Sequence, residues 1–217
     1  KCLRFSISQR VDPYNERMAE STKSSPPRIG FFGGSFDPIH IGHISLAQQA
    51  IQLARLDTLL LCPAFHAPLR IEKPYFSTQT RLRILEKIAQ EIPQFKICTL
   101  EIEKQKICYT FETIKEVQLQ YPDSTILLLL GADQFNRLHE WKFHQELAEH
   151  CQFLVFSRNG QEVTPPAIPQ LSYQLVKNEL IDCSSTEIRK RLKAGRSVDH
   201  LIPSAAYPFI NQNPNHS

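Results

Sequence analysis

From residue 28 onward, short runs of apolar residues alternate with stretches in which apolar side chains recur every three or four positions. The first pattern suits buried strands and the second suits amphipathic helices. Strands are expected at residues 29–32, 57–62, 95–100, 125–130 and 152–156, with a weaker one at 171–176. Helices are expected at 43–55, with Ile44, Ala47, Ile51 and Ala54 on one face, and at 78–91, built on Leu82, Leu85, Ile88 and Ala89. Further helices follow at 110–120, in broken form around Trp141 at 135–150, at 185–193 and at 204–211. Right-handed crossovers turn such an order into one doubly wound, Rossmann-like α/β domain, with a mainly parallel sheet and helices on both faces. Ligands of these folds sit at the carboxyl ends of the strands near the switch in strand order. The loops at 33–43, 63–70, 131–141 and 157–160 should therefore converge there.

Composition narrows the picture. Hydrophobic residues make up 41% and charged residues 22% of 217 positions, which suits a packed globular domain and not a disordered chain. The net charge of +3 is too small to mark a nucleic-acid or membrane surface, so an anionic ligand needs a local site. The longest apolar run, 126–130, is far too short to span a bilayer, and the first residues lack the apolar stretch of a secretory leader. Six cysteines without a CxxC pair or metal-ligand spacing fit a reducing cytoplasm and no protein-held metal. Residues 1–27 are polar, mixed in charge and end in SSPP. A flexible tail is expected there, with Met18 as a candidate start, ahead of a domain over 28–217.

Two strings carry chemistry. In GGSFDPIHIGH, residues 33–43, Gly33 and Gly34 follow a buried strand and let backbone approach a ligand, and Gly42 opens a helix whose free N–H groups favour phosphate. Asp37 before Pro38 suits an Asx-type turn that holds the loop. His40 and His43 lie three apart across the helix start, where both imidazoles can face one anion and donate as charge builds during transfer. In CSSTEIRKRL, residues 183–192, Ser184, Ser185 and Thr186 are helix-capping types, and Arg189 falls about one turn into the helix they open. Hydroxyls and a guanidinium at a helix start form a second phosphate cradle.

GGSFDPIHIGH resembles the HxGH signature of the nucleotidyltransferase superfamily, in its nicotinate mononucleotide adenylyltransferase version, and CSSTEIR is similar to that family's ISSTxIR, with Cys183 in place of Ile. The resemblance covers roughly residues 28 to 212. It implies adenylyl transfer from ATP, accompanied by Mg²⁺, to nicotinate mononucleotide in a cytoplasmic enzyme of pyridine nucleotide biosynthesis. It implies no nucleic-acid or membrane partner, and it is compatible with a homo-oligomer. His40, His43 and Arg189 take catalytic roles on this reading. ATP is held by Gly33, Gly34, Ser35, His40, Gly42, His43, Ser184, Ser185, Thr186 and Arg189. LLLGAD at 128–133 followed by HEW resembles the family's strand with GxD and then Trp, implying that Gly131 and Asp133 meet the substrate and that Trp141 stacks on the pyridine ring. ICYTFETI at 107–114 is similar to a YTxxTL segment, placing Tyr109 and Thr110 in the nicotinate pocket, and FSRNG at 156–160 makes Arg158 an acceptor-side residue. Read without the family, Trp141 is as well a core residue, Asp133 a helix cap and Thr110 another.

CPAFHAPLR at 62–70 departs from the family's Pro-Pro-His-basic element: Arg70 is kept, while Leu69 stands at the His position. The departure bears on the grip on the acceptor phosphate, to which His66 is a second candidate. Class I aminoacyl-tRNA synthetases share HIGH, but the chain lacks a KMSKS-like loop and the length for tRNA. Phosphopantetheine adenylyltransferases pair HxGH with SSTxxR, but generally carry Thr in place of His40. A catalytically silent nucleotide sensor is the remaining reading, argued against by retention of both cradles.

Overall fold

A computed structural model describes residues 25–67, 72–157, 162–179 and 181–210. Six parallel strands form one sheet in the order β3-β2-β1-β4-β5-β6: β1 (Arg28–Gly34), β2 (Thr58–Pro63), β3 (Phe95–Ile97), β4 (Thr125–Gly131), β5 (Gln152–Phe156) and β6 (Tyr173–Val176). The chain winds outward from β1 through β2 to β3, then returns to the other side of β1 and winds through β4 and β5 to β6. The switch lies between β1 and β4, where Ile29 aligns with Ile126 and Phe31 with Leu128. This is the doubly wound fold expected.

Helices cover both faces: α1 (Ile41–Ala54), α2 (Thr78–Glu91), α3 (Leu100–Lys104), α4 (Thr110–Gln120), α5 (Ala132–Asn136), α6 (His144–His150), α7 (Ser185–Lys193) and α8 (Tyr207–Ile210). Because side chains alternate along each strand, Ile29, Phe31, Leu60, Ile126 and Leu128 enter one apolar cluster, while Leu59, Leu61, Leu127 and Leu129 enter the other. Strands buried on both faces need unbroken apolar runs, which is why TILLLLG reads as it does. Gly30 leaves room in β1 for the leucines packed over it: a Cβ there would lie 2.5 Å from Leu59 Cδ1 and 2.6 Å from Leu56 Cδ1, and both buried side chains would have to shift.

Several boundaries differ from expectation, and the closing helix expected at 204–211 is a 3₁₀ turn at Ser204–Ala206 followed by α8. Helix α1 begins at Ile41, because His40 occupies the N-cap in an extended conformation, and Gly42 and His43 therefore lie inside the first turn. Strand β3 stops at Ile97 instead of running to Leu100; after Cys98 donates to the Leu61 carbonyl at 3.0 Å, the chain turns into α3. Strand β6 starts at Tyr173, two residues later than the apolar pattern suggested. Among the described residues no helix is long and apolar enough to cross a membrane.

Candidate active site

The loop after β1 is held by partners far away in sequence. The Asp37 carboxylate is buried and accepts from the backbone N–H of Tyr75 and of Phe76, each at 2.8 Å. It therefore fastens the loop to the segment before α2, where an Asx-type turn had been expected. Arg81, on α2, is also buried; its Nη1 donates to the carbonyls of Ser35 at 2.6 Å and Ala64 at 2.8 Å, and its Nη2 to the Phe65 carbonyl at 3.3 Å. One guanidinium thus ties together the loops that leave β1 and β2. Its planar fork suits several carbonyls at fixed spacing in a way a Lys ammonium would not.

His40 and His43 lie against each other, with ring centroids 3.7 Å apart. The His40 backbone N–H donates to His43 Nδ1 at 3.3 Å, which makes Nδ1 an acceptor and leaves the ring proton on Nε2. Burial first, and the neighbouring His40 second, hold the His43 pKa well below the usual imidazole value. His43 is therefore favoured as a neutral ring, with Phe36 in T-shaped contact and Phe32 tilted against it. Gly42 makes room for the pair, since a Cβ there would come within 3.0 Å of the His40 ring.

Helix α7 is clamped to the same loop across about 150 residues of chain. Ser185 Oγ donates to the Pro38 carbonyl at 2.9 Å, and Arg189 Nη1 donates to the Asp37 carbonyl at 2.8 Å, with the Asp37 carboxylate 3.9 Å away. Arg189 Nη2 reaches Thr186 Oγ1 at 3.1 Å. Ser184 is the N-cap of α7, its Oγ accepting from the Glu187 N–H at 3.2 Å. His40, His43, Ser185, Thr186 and Arg189 are thereby brought to one polar seam at the carboxyl end of β1.

Beside the seam opens a chamber of about 650 Å³. Gly33, Gly34 and Ser35 line it from the seam side, and Tyr109, Thr110 and Trp141 from the other. Trp141 is half-buried, packing against the apolar cluster behind it as well as lining the chamber. Gly131 and Asp133 are not among the lining residues; Asp133 is exposed, and its Oδ1 lies 2.6 Å from where a Gly131 Cβ would be. The neighbouring Gln134 lines the chamber instead. The N-cap of α4 is Tyr109, so Thr110 is the first helical residue and not the cap. Arg70, with Leu69, and Arg158 lie outside the described residues.

Among the polar residues of the chamber wall, sequence reasoning passed over Glu101, Gln134, Glu140 and Lys142. Glu101 is buried and accepts from Thr113 Oγ1 at 3.0 Å; burial pushes its carboxyl pKa up. Its helix α3 begins where the expected strand 95–100 ended, in a stretch to which no element had been assigned, so no signal marked it. Among the described residues no cluster of His, Cys, Asp and Glu has the makings of a metal site.

Known proteins match most of the chain. The cytidylyltransferase-like family matches residues 31–191, a span that runs from β1 through Arg189. The chain is 33% identical over 186 residues to a probable nicotinate-nucleotide adenylyltransferase of Opitutus terrae, covering 85% of this chain and 95% of the relative. The chain belongs to the cytidylyltransferase-like family, among its nicotinate-nucleotide adenylyltransferases. A second such adenylyltransferase, the probable enzyme of Halalkalibacterium halodurans, is 35% identical over 184 residues, covering 84% of this chain and 88% of that one. The solved structure of a Plasmodium falciparum nicotinic acid mononucleotide adenylyltransferase complexed with NaAD superposes with a TM-score of 0.67 at 19% identity, over 85% of this chain and 95% of that one, and establishes the shared fold.

Against the adenylyltransferase pattern, the Cys183 departure turns out to be a matter of packing. Cys183 is half-buried against the apolar cluster, and its thiol points to the Leu201 carbonyl at 3.6 Å. A small apolar residue thus fills this place, and beyond it Ser184 caps α7 while Ser185 and Arg189 hold the loop after β1.

Proposed function

We propose that this chain transfers the adenylyl group of ATP to nicotinate mononucleotide, releasing pyrophosphate and forming nicotinate adenine dinucleotide. The observation that carries the reading is the clamp of Ser185 on the Pro38 carbonyl and Arg189 on the Asp37 carbonyl, which joins two phosphate-favouring helix starts at the rim of a ring-lined chamber. A phosphate oxygen of the mononucleotide attacks the α-phosphorus of ATP, and the bond from that phosphorus to the bridging oxygen breaks, its electron pair leaving with pyrophosphate. The nucleophile is already anionic near neutral pH, so no strong base is called for. Rate comes from alignment and from donors aimed at the charge that develops.

In this scheme His43 donates its Nε2 proton as a hydrogen bond to the transferring phosphate, and His40 lies against it as a second imidazole for the same anion. The α7 N-terminus and Arg189 take the leaving phosphates, for which a helix start supplies free N–H groups and a positive dipole end. Mg²⁺ enters as part of the MgATP substrate, since this cation keeps most of its ligands as water and phosphate oxygen. Tyr109, Thr110 and Trp141 receive the pyridine ring. Every residue named belongs to one chain, the substrates are small molecules, and the setting is the cytoplasm.

Pyrophosphate release measured with MgATP and, in turn, nicotinate mononucleotide, nicotinamide mononucleotide and phosphopantetheine tests the reading. Release is expected with the first at the highest kcat/KM. Preference for phosphopantetheine would transfer the chain to a different acceptor, and nucleotide binding without release would make it a sensor.

A further inference from the structure

The chamber carries charges for which adenylyl transfer has no use. Glu101, Glu140 and Lys142 all line it. Both acids are answered from within the protein. Glu140 receives Nε of Arg137 at 3.0 and 3.1 Å and Nη2 at 2.6 Å, a forked ion pair that spends its charge on a neighbour. Glu101 is occupied by Thr113, and its burial favours the neutral carboxyl.

Lys142 is different. Its Nζ lies 4.4 Å from the centre of the Tyr109 ring and 4.8 Å from that of Phe143, and among the described residues it pairs with no carboxylate. Ring faces attract an ammonium group but offer its N–H donors no strong acceptor. Phe143, which supplies one of those rings, holds φ at 64°, in the left-handed region that a bulky residue rarely enters. Backbone strain of this kind persists where surroundings impose it and is common at ligand clamps. The ammonium is thus located by aromatic rings on a wall shared with Trp141, the ring expected to stack on pyridine.

We propose that Lys142 is the residue that selects a carboxylate over a carboxamide on the pyridine ring, by offering the acid a charge-assisted hydrogen bond at the chamber wall. This rests on the function proposed above and adds the residue that decides between its two nearest acceptors. A carboxylate gains both Coulomb attraction and a strong acceptor contact from an ammonium. A carboxamide gains an ion–dipole contact through its oxygen but no charge–charge attraction, and its NH₂ end is repelled. The two mononucleotides share the same ribose and phosphate, so the ratio of their kcat/KM values isolates the ring substituent.

The experiment compares the full chain with Lys142→Met and Lys142→Arg, measuring kcat and KM for nicotinate mononucleotide, nicotinamide mononucleotide and ATP, with melting temperature as a control for folding. In Lys142→Met the acid-over-amide ratio should fall about tenfold or more, through a higher KM for the acid alone. KM for ATP should hold, and Lys142→Arg should recover most of the ratio. An equal loss for both mononucleotides, which leaves the ratio unchanged, would mean that Lys142 serves their common phosphate; that result, or no loss for either, would overturn the assignment while leaving the enzyme's function in place. Failure of the unmodified chain to use either mononucleotide would overturn the function and this proposal with it.

Discussion

The seam around His43 and the chamber around Trp141 meet at Gly33 and Ser35, yet they are built on opposite principles. In the seam, polar groups are set by other protein atoms: Asp37 by the N–H groups of Tyr75 and Phe76, Arg189 by the Asp37 carbonyl, and His43 by the His40 N–H. In the chamber, rings and aliphatic side chains such as Trp141, Tyr109 and Leu128 form much of the wall, with polar and charged groups such as Gln134 and Lys142 set among them. Fixed dipoles act best on charge that appears only in the transition state, whereas apolar and stacking walls bind ground state and transition state alike. The seam should therefore govern kcat, and the chamber should govern KM for the acceptor.

The severest way to break the contrast is to loosen the seam from behind. Arg81→Leu strips the Ser35, Ala64 and Phe65 carbonyls of a donor, at about 1 to 3 kcal/mol for each buried group left unpaired, and should lower the melting temperature by roughly 10 °C. A variant that melts with the unmodified protein would show that the loops hold themselves. Next in size is His43→Ala, expected to reduce kcat by about 10²-fold or more with little change in either KM. If KM moved and kcat did not, the seam would be a binding site like the chamber.

Trp141→Ala sharpens the other side. Loss of a stacking ring should raise KM for nicotinate mononucleotide by an amount equivalent to about 1 to 3 kcal/mol and spare KM for ATP. Trp141 is the sole tryptophan, so its emission should also be quenched by the mononucleotide and little by ATP. A variant destabilised by about 3 to 5 kcal/mol, with emission blind to the mononucleotide, would make Trp141 a core residue.

The smallest effect concerns pH. His43 is held neutral in the folded state below the usual imidazole pKa of 6.5, so between that value and its lowered native one the unfolded chain binds the extra proton. The stability that depends on His43 is complete above about pH 6.5 and is lost as pH falls toward the native pKa. Melting temperatures followed from about pH 7 to about pH 5 should decline more steeply for the unmodified chain than for His43→Asn. Parallel curves would mean that burial does not hold the ring neutral.

How far all this could be read in advance depended on range. Strands β1, β2, β4 and β5 and helices α2, α4 and α7 follow from local apolar patterns, and the two helix starts with His40, His43, Ser185 and Arg189 stand out as strings. The partners of Asp37 do not, because they are backbone N–H groups 38 and 39 residues away that any sequence could supply. Arg81 was hidden for a related reason. On an amphipathic helix a cation is ordinarily read as solvated, and only the convergence of three carbonyls from two loops makes burial of this one favourable. Glu101 lay in a five-residue helix too short to show a period, and Lys142 in a broken helix where no face is defined. Arg70 and Arg158 remain expectations from sequence, outside the described residues.

The most direct test of adenylyl transfer at this seam follows the α-phosphorus itself. ATP labelled at that atom is incubated with the protein, Mg²⁺ and nicotinate mononucleotide, and the label is traced to dinucleotide, pyrophosphate and protein. The geometry calls for all transferred label to appear in nicotinate adenine dinucleotide, with none on the protein and none in pyrophosphate. Label fixed to the protein, or a dinucleotide that forms without it, would contradict direct in-line transfer from ATP to the acceptor.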